Sequence, residues 1–279
     1  MLDFCGQNDY NNRWFNTSVK ESAMNYNYHT HTARCRHASG TERGYIEKAL
    51  AAGITKIGFS EHIPLEFADG HDTAHRLPVA EETLYFDTLR ALREEYRDRA
   101  EILIGYEVEY YPLYFKEQLR RARELGAEYL ILGQHYIRNE EFYEVSTYAL
   151  SDSVEDLICY TDTVIEAMKT GLFTYVAHPD VFSFTGDAAI YDREMRRICE
   201  TATELNVPLE INFYGIRSGR RYPEERFWKI AGKCGSPVTF GFDAHDEAGA
   251  ADLASLPRAM ELMEKYNLNY IGAPKIIYL

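Results

Sequence analysis

The sequence predicts an α/β fold, a single-domain (β/α)7 TIM-like barrel with parallel strands. Short β-rich runs alternate with segments of helical period along most of the chain. Seven of the nine histidines lie at, or just after, the carboxyl end of such a run. This alternation indicates parallel strands with right-handed crossovers. A doubly wound open sheet is the other candidate, but no glycine-rich phosphate fingerprint follows the first run, which disfavours its dinucleotide-binding form.

Seven strands are predicted from runs of β-branched, aliphatic and aromatic residues. In chain order they cover residues 26–29, 56–59, 102–106, 129–132, 173–177, 208–212 and 237–242. The first helix, over 41–53, has Thr41 as its N-cap and Gly53 as its stop. Further amphipathic helices are predicted over 79–99, 112–126, 153–171 and 191–206, with a late one around 253–265. Residues 1–25 are polar and predict an N-terminal arm before a domain over 26–279.

Composition narrows the classes of function. The 279 residues carry a formal net charge of -14, which argues against nucleic-acid or anionic-membrane binding. A small anionic substrate stays compatible, because bound cations can reverse the local field. The five cysteines form no CxxC pair, and the chain has no long apolar run or signal-like start. We therefore expect a cytoplasmic protein; the sequence does not indicate an oligomeric state.

Ligand-type side chains follow every predicted strand. In a parallel barrel these positions share one face, where active sites are built, and residues i and i+2 point the same way. A lone histidine at a strand end is more often structural, and we interpret Glu109 and Asp180 as solvated loop residues. The convergence of many such positions nevertheless indicates a metal site. The candidates are His29, His31, His62, Glu107, Glu109, His135, His178, Asp180, Glu210, Asn212, Asp243 and His245.

The loop after the second strand carries two more histidines, His71 and His75. Gly70 and Pro78 predict a loop rather than a helix here. We expect this loop to form the rim of the site, where Asp69 and Asp72 could contact a cationic group of the substrate. The alternative is that the loop is ordinary surface without a role in binding. Cys35 is interpreted as a small apolar residue in a turn.

Eight motifs together resemble one family. HxH, CRHASGT, GFSEHIPL, GYEVEYY, LGQHYI, VAHPD, EINFYGIR and GFDAH are similar to the PHP (polymerase and histidinol phosphatase) family, and more narrowly to its stand-alone histidinol-phosphate phosphatases, over about residues 26–275. The resemblance implies a distorted (β/α)7 TIM-like barrel with two or three metals. It implies one metal on His29, His31, Glu107 and Asp243, a second on Glu107, His135 and His178, and a third on His37, His62 and His245.

The implied ligands are mostly imidazoles with two carboxylates, which suits Zn, Mn or Fe better than Mg or Ca. The resemblance also assigns substrate phosphate to Arg217, with Arg138 as a second candidate. An arginine fork can grip phosphate oxygens in pairs. The neighbouring Arg220 and Arg221 are interpreted as solvated.

The expected activity is that of a metal-dependent phosphomonoesterase acting on L-histidinol phosphate, in histidine biosynthesis. A metal-bridging hydroxide would attack phosphorus, Arg217 would add positive charge, and Asp243 or His245 would manage the leaving-group proton. A first alternative is a phosphoesterase of the same family that acts on another small ester, such as a nucleotide or sugar phosphate. A second is a metal-dependent binding or regulatory protein without turnover.

Overall fold

The computed structural model of the chain describes residues 24–68, 70, 73, 75–143 and 145–279. Among them, one sheet of eight strands follows the order of the chain, and every neighbouring pair is parallel. The strands are β1 (Tyr26–Asn27), β2 (Lys56–His62), β3 (Glu101–Val108), β4 (Tyr129–Leu132), β5 (Phe173–Val176), β6 (Leu209–Asn212), β7 (Pro237–Gly241) and β8 (Asn269–Tyr270). The predicted parallel α/β architecture is confirmed, with all seven predicted strands present.

Helices cover the connections between the strands. They are α1 (Glu42–Ala51), α2 (Glu82–Glu95), α3 (Pro112–Leu125), α4 (Val154–Lys169), α5 (Ala188–Leu205), α6 (Phe213–Arg217), α7 (Glu225–Cys234) and α8 (Leu256–Tyr266). Thr41 caps α1 through the Gly44 amide, as predicted, and Gly126 ends α3 in the left-handed conformation. None of the helices in the described ranges is long and apolar enough to cross a membrane.

The sequence pattern does not predict α6, α7 or β8. The segment after β6 is rich in Arg, Gly and Pro, which is typical of turns, yet α7 buries Phe227, Trp228 and Ile230. The two residues of β8 pair with Pro237 and Val238 on β7, and so short a pairing leaves no periodic signal. The predicted arm over 1–25 falls almost wholly outside the described residues.

The carboxyl ends of the first and seventh strands meet directly. A parallel bridge joins Thr30 to Ala244, with hydrogen bonds from the His31 amide to the Ala244 carbonyl (2.9 Å) and from the Ala244 amide to the His29 carbonyl (3.2 Å). In the described part of the chain no ladder joins β8 to β1, so this bridge brings the ends of the row of strands together. It places the histidines after β1 beside the residues after β7.

Candidate metal centre

The structure brings all nine predicted metal ligands together at the carboxyl ends of the strands. Their ligand atoms form overlapping groups of three, and within each group the atoms lie within 4.8 Å of one another. The groups are His29 with Glu107 and His178; His29 with His31 and Asp243; His31 with His62 and His245; His62 with Glu109 and His135; and Cys35 with His37 and His245.

Glu107, near the end of β3, is the centre of this cluster and is fully buried. Its Oε1 lies 3.5 Å from His29 Nε2 and 3.4 Å from His135 Nε2. Its Oε2 lies 3.4 Å from His31 Nε2 and 3.1 Å from His62 Nδ1. The two oxygens therefore face different sets of imidazoles, which is the arrangement a carboxylate needs to bridge two cations.

Asp243, just after β7, forms a second centre. Its Oδ1 lies 3.6 Å from His29 Nε2, 3.3 Å from His31 Nε2 and 3.2 Å from His245 Nδ1. The Nε2 atoms of His245 and His37 are 2.9 Å apart. Asp243 thus connects the pair that follows β1 to the outer pair formed by His37 and His245.

Two residues of the cluster have left-handed backbone conformations that are unusual outside glycine. The φ angles are +30° at His178 and +49° at Asp243. Such a conformation costs about 1–3 kcal/mol and persists where the surroundings fix it, often at functional sites. Glu210 accepts from the His178 amide (3.0 Å), and Asn212 Nδ2 donates to Asp243 Oδ2 (3.1 Å). These contacts hold both strained residues in place.

Three buried carboxylates hold the outer ring nitrogens of ligand histidines. The pairs are Glu210 Oε1 with His29 Nδ1 (2.8 Å), Glu61 Oε1 with His31 Nδ1 (3.3 Å) and Glu109 Oε1 with His135 Nδ1 (2.6 Å). Each contact directs the Nε2 atom of its histidine toward the shared centre, as carboxylates behind metal ligands commonly do. Sequence reasoning assigned none of these positioning roles; the only signal for Glu210 was its place at a strand end.

The interpretation of Glu109 and Asp180 as solvated loop residues is wrong. Glu109 is fully buried and pairs with the buried Arg76, which comes from the loop after β2. Asp180 is also buried and accepts a hydrogen bond from Trp228 Nε1 (2.8 Å). Burial raises the pKa of Asp180 to about 7. Both partners lie far away in sequence, which is why local pattern did not reveal the burial.

The chemistry of the unpaired atoms tests whether cations fit this site. Buried polar atoms without hydrogen bonds are costly, so a cluster of them needs a ligand. Among the described residues they include His29 Nε2, His31 Nε2, His62 Nδ1, His178 Nδ1, Glu107 Oε2 and Asp243 Oδ1. Ligand atoms about 2.1 Å from a tetrahedral Zn²⁺ lie about 3.4 Å apart. Asp243 Oδ1 lies at such spacings, 3.3 and 3.6 Å, from the inner nitrogens of His31 and His29, so the residues fit a divalent ion.

Electrostatics couples the imidazoles and carboxylates strongly. Burial alone would lower the pKa of His31, but the nearby carboxylates, led by Asp243 and Glu61, outweigh it and raise the pKa to about 9. Burial would likewise raise the pKa of Glu107, yet the surrounding imidazoles, led by His135, hold it well below its ordinary value. Burial lowers the pKa of His37 to about 4, helped by repulsion from other imidazoles. The carboxylates are therefore ionised and available to cations at neutral pH.

A cavity of about 310 Å³ opens over the cluster. Its floor is made by members of the cluster, including His62, His135 and Asp243. Its outer wall is different in character, with several aromatic side chains and one cation. The wall residues are His75, Tyr136, Ser146, Tyr148, Tyr214 and Arg220.

Neither arginine predicted to bind phosphate lines this cavity. Arg217 donates from Nη1 to the Phe242 carbonyl (2.5 Å) and from Nη2 to the Asp243 carbonyl (2.6 Å), so its guanidinium holds the chain next to a ligand. Arg138 is exposed and pairs with Glu155 (2.8 Å). Their positions do not support the prediction, because protein partners already engage both guanidinium groups.

Arg220, interpreted from sequence as solvated, is the arginine on the cavity wall. Its Nη2 donates to the Tyr214 hydroxyl (3.0 Å), and its guanidinium lies over the Tyr214 and Tyr148 rings, 4.8 and 5.3 Å from their centroids. The aromatic contacts orient a cation toward the site.

The predicted rim loop is partly described. His75 lines the cavity, whereas His71, Asp69 and Asp72 lie outside the described residues. Cys35 is fully buried in the turn Ala33–Cys35, and burial raises the pKa of its thiol.

Comparison with known proteins identifies the family. The family model of the PHP domain matches residues 27–213, and the chain belongs to this family. It is 28% identical to the histidinol-phosphatase of Bacillus subtilis over 265 residues, covering 82% of this chain and 97% of that protein. It is 26% identical to a probable histidinol-phosphatase of Deinococcus radiodurans over 227 residues, covering 78% and 85%.

Among solved structures, the chain is similar to histidinol phosphate phosphatase from Lactococcus lactis in complex with zinc, L-histidinol and phosphate. The TM-score is 0.65 at 20% identity, over 88% of this chain and 95% of that one. This likeness establishes the shared fold.

Proposed function

We propose that this protein is a metal-dependent phosphomonoesterase that hydrolyses L-histidinol phosphate to L-histidinol and phosphate. The observation that carries the proposal is the buried cluster around Glu107 and Asp243, which contains several unpaired ligand atoms. Members of this cluster, among them His62 and Asp243, line an open cavity. Membership of the PHP domain family supports it. The substrate is supported by the relatives named histidinol-phosphatase, which the match covers over 85% and 97% of their lengths.

The cluster would hold two or three divalent ions, Zn, Mn or Fe. The family resemblance implies three positions, with Glu107 shared between the first two, and contacts among these side chains support them. The ligand sets are His29, His31, Glu107 and Asp243; Glu107, His135 and His178; and His37, His62 and His245. Bound there, such ions would neutralise phosphate charge and lower the pKa of a coordinated water.

The chain itself supplies orientation and further charge. Glu210, Glu61 and Glu109 fix the rings of three ligand histidines, so the centre is preorganised. Arg220 replaces Arg217 in our assignment as the residue that donates N–H groups to phosphate oxygens, because it lines the cavity. A net charge of -14 repels a dianion at long range, so local positive charge at the cavity is required.

A panel of phosphate monoesters tests this function. Protein stripped of metal and reloaded with Mn or Zn is assayed for phosphate release from L-histidinol phosphate, nucleoside monophosphates and sugar phosphates. We expect kcat/KM for L-histidinol phosphate to exceed the others by about 100-fold, since a built polar site rejects ligands that leave its groups unpaired. The variant Glu107→Gln is expected to lose both metal and activity. A nucleotide or sugar phosphate as the best substrate would contradict the assignment, and no turnover with any ester would favour a binding protein.

A further inference from the structure

His75 stands apart from the other histidines of the cavity. It comes from the loop between β2 and α2, and it belongs to none of the groups of ligand atoms among the described residues. Its ring stacks on Tyr136, with centroids 5.3 Å apart, and its centroid is 6.5 Å from that of His62. The side chain is 29% exposed and lines the cavity, so a bound ester can reach it.

A buried carboxylate lies behind this imidazole. Glu140 is 2% exposed, and its Oε2 is 3.5 Å from His75 Nε2. Arg76 fixes the other oxygen, donating to Oε1 from Nε (3.1 Å) and Nη2 (2.5 Å). Within the described structure, neither Glu140 Oε2 nor His75 Nε2 has a hydrogen-bond partner, so the two atoms are available to each other. Arg76 thus holds the carboxylate with one oxygen turned to the imidazole.

Arg76, which holds Glu140 in place, also contacts a residue behind the metal centre. Arg76 also pairs with Glu109, whose other oxygen accepts from His135 Nδ1 (2.6 Å). A change in the position of the loop would therefore be resisted by buried ion pairs on both sides. Such a fixed carboxylate–histidine pair beside a reaction site is the arrangement of an acid–base group.

We propose that His75 is the catalytic residue that gives a proton to the leaving alcohol, with Glu140 as its positioning residue. The proposal rests on the phosphomonoesterase function proposed above. The P–O bond to the alcohol breaks, and its electron pair stays on the alcohol oxygen. The protonated imidazole of His75 transfers its proton to that oxygen, so a neutral alcohol leaves. The water that attacks phosphorus loses a proton to solvent, and the imidazole regains one from solvent.

This role answers a chemical need that the cluster leaves open. An alkoxide is a poor leaving group, whereas the other histidines of the cavity floor are committed to the cluster around Glu107 and Asp243. Because Nε2 of His75 faces Glu140, Nδ1 is the nitrogen left to serve the substrate. The dependence on the leaving group therefore distinguishes a proton donor from a residue that only shapes the cavity.

The test compares L-histidinol phosphate with p-nitrophenyl phosphate in the metal-loaded enzyme and in His75→Asn. Loss of a general acid should lower kcat for the alkyl ester by about 100- to 10,000-fold. Turnover of p-nitrophenyl phosphate should change little, because p-nitrophenolate leaves as a stable anion. Glu140→Gln should show the same selectivity with a smaller loss. Ser146→Ala, on the same wall, is the matched control and should alter both esters by equal factors.

Metal content and the thermal midpoint are measured for each variant, so that loss of the fold or of the centre is recognised. Equal losses on both esters in His75→Asn, with metal and midpoint unchanged, would overturn the proposal, and so would full activity on the alkyl ester. If His75→Asn is destabilised and loses metal, the comparison is repeated with His75→Gln. The deciding quantity is again the ratio of the loss of turnover on the alkyl ester to the loss on p-nitrophenyl phosphate. If the proposed function itself is wrong, the wild-type enzyme will hydrolyse neither ester, and this outcome is distinct from those of the variants.

Discussion

Replacing Gly133 with alanine should weaken metal binding at the centre and leave the fold intact. Gly133 follows β4, and a Cβ atom there would lie 1.8 Å from Glu107 Oε1 and 2.4 Å from its Cδ. Real Cβ atoms essentially never approach another heavy atom closer than 3.0 Å. The carboxylate must therefore retreat by the difference between 1.8 and 3.0 Å, more than an ångström.

That displacement is large for a metal ligand, because ligand distances hold to within about 0.2 Å. Glu107 is fully buried among imidazoles and cannot restore its contacts from a new position. We expect weaker metal binding and a fall in kcat/KM of about 100-fold or more, at or beyond the loss seen when residues behind a metal ligand are changed. The assay is metal per chain after dialysis against limiting Zn²⁺, followed by phosphate release from L-histidinol phosphate.

Gly44→Ala is the matched control. Its Cβ would lie 1.9 Å from Glu247 Oε1, a similar overlap, but Glu247 is partly exposed and its carboxylate can swing away. Because Gly44 lies in α1, alanine should also stabilise the protein by about 0.5–1 kcal/mol. Metal content and activity should match wild type. Full metal content and activity in Gly133→Ala would refute the reasoning.

Three further changes probe the site. Arg220→Ala should raise KM for the phosphate ester about tenfold in steady-state assays, which corresponds to a loss of about 1.4 kcal/mol of binding free energy. Arg217→Ala should instead lower the metal content and the thermal midpoint. Equal KM shifts in the two variants would contradict the assignment of phosphate binding to Arg220. Because the pKa of His31 is raised to about 9, its metal-free ring is protonated below that pH. Metal binding at pH 7 should therefore release protons, and the metal affinity should rise toward pH 9. Calorimetry in buffers of different ionisation enthalpy measures the proton release, and binding without it would contradict this prediction. Glu210→Gln should weaken metal binding about 10- to 100-fold in a competition titration, since it orients His29, and an unchanged Kd would argue otherwise.

The sequence predicts most of the fold because the residue patterns that identify strands and helices are local. Alternating strand and helix patterns identify seven strands, and the common direction of parallel strands brings their terminal residues to one face. Short elements are not predicted, because only their tertiary contacts define them. For example, β8 is a strand only because its two residues pair with residues of β7. The helix α7 is hidden among turn-forming residues and is revealed by the burial of Trp228.

Site prediction fails where the direction of a side chain depends on distant partners. Arg217 and Arg220 lie in one short segment, yet Arg217 turns to carbonyls after β7 while Arg220 turns to the cavity. Glu109 is buried because Arg76, from another loop, pairs with it. No local pattern encodes these choices, whereas the nine ligand positions follow from strand ends and from the family resemblance.

The most direct test of the central claim is a titration of metal-free enzyme with Zn²⁺ or Mn²⁺ while phosphate release from L-histidinol phosphate is followed. The account predicts no turnover without metal and a plateau at two or three equivalents per chain, the number of ions proposed for the cluster around Glu107 and Asp243. Turnover that is full in the metal-free enzyme, or absent at every metal loading, would contradict it.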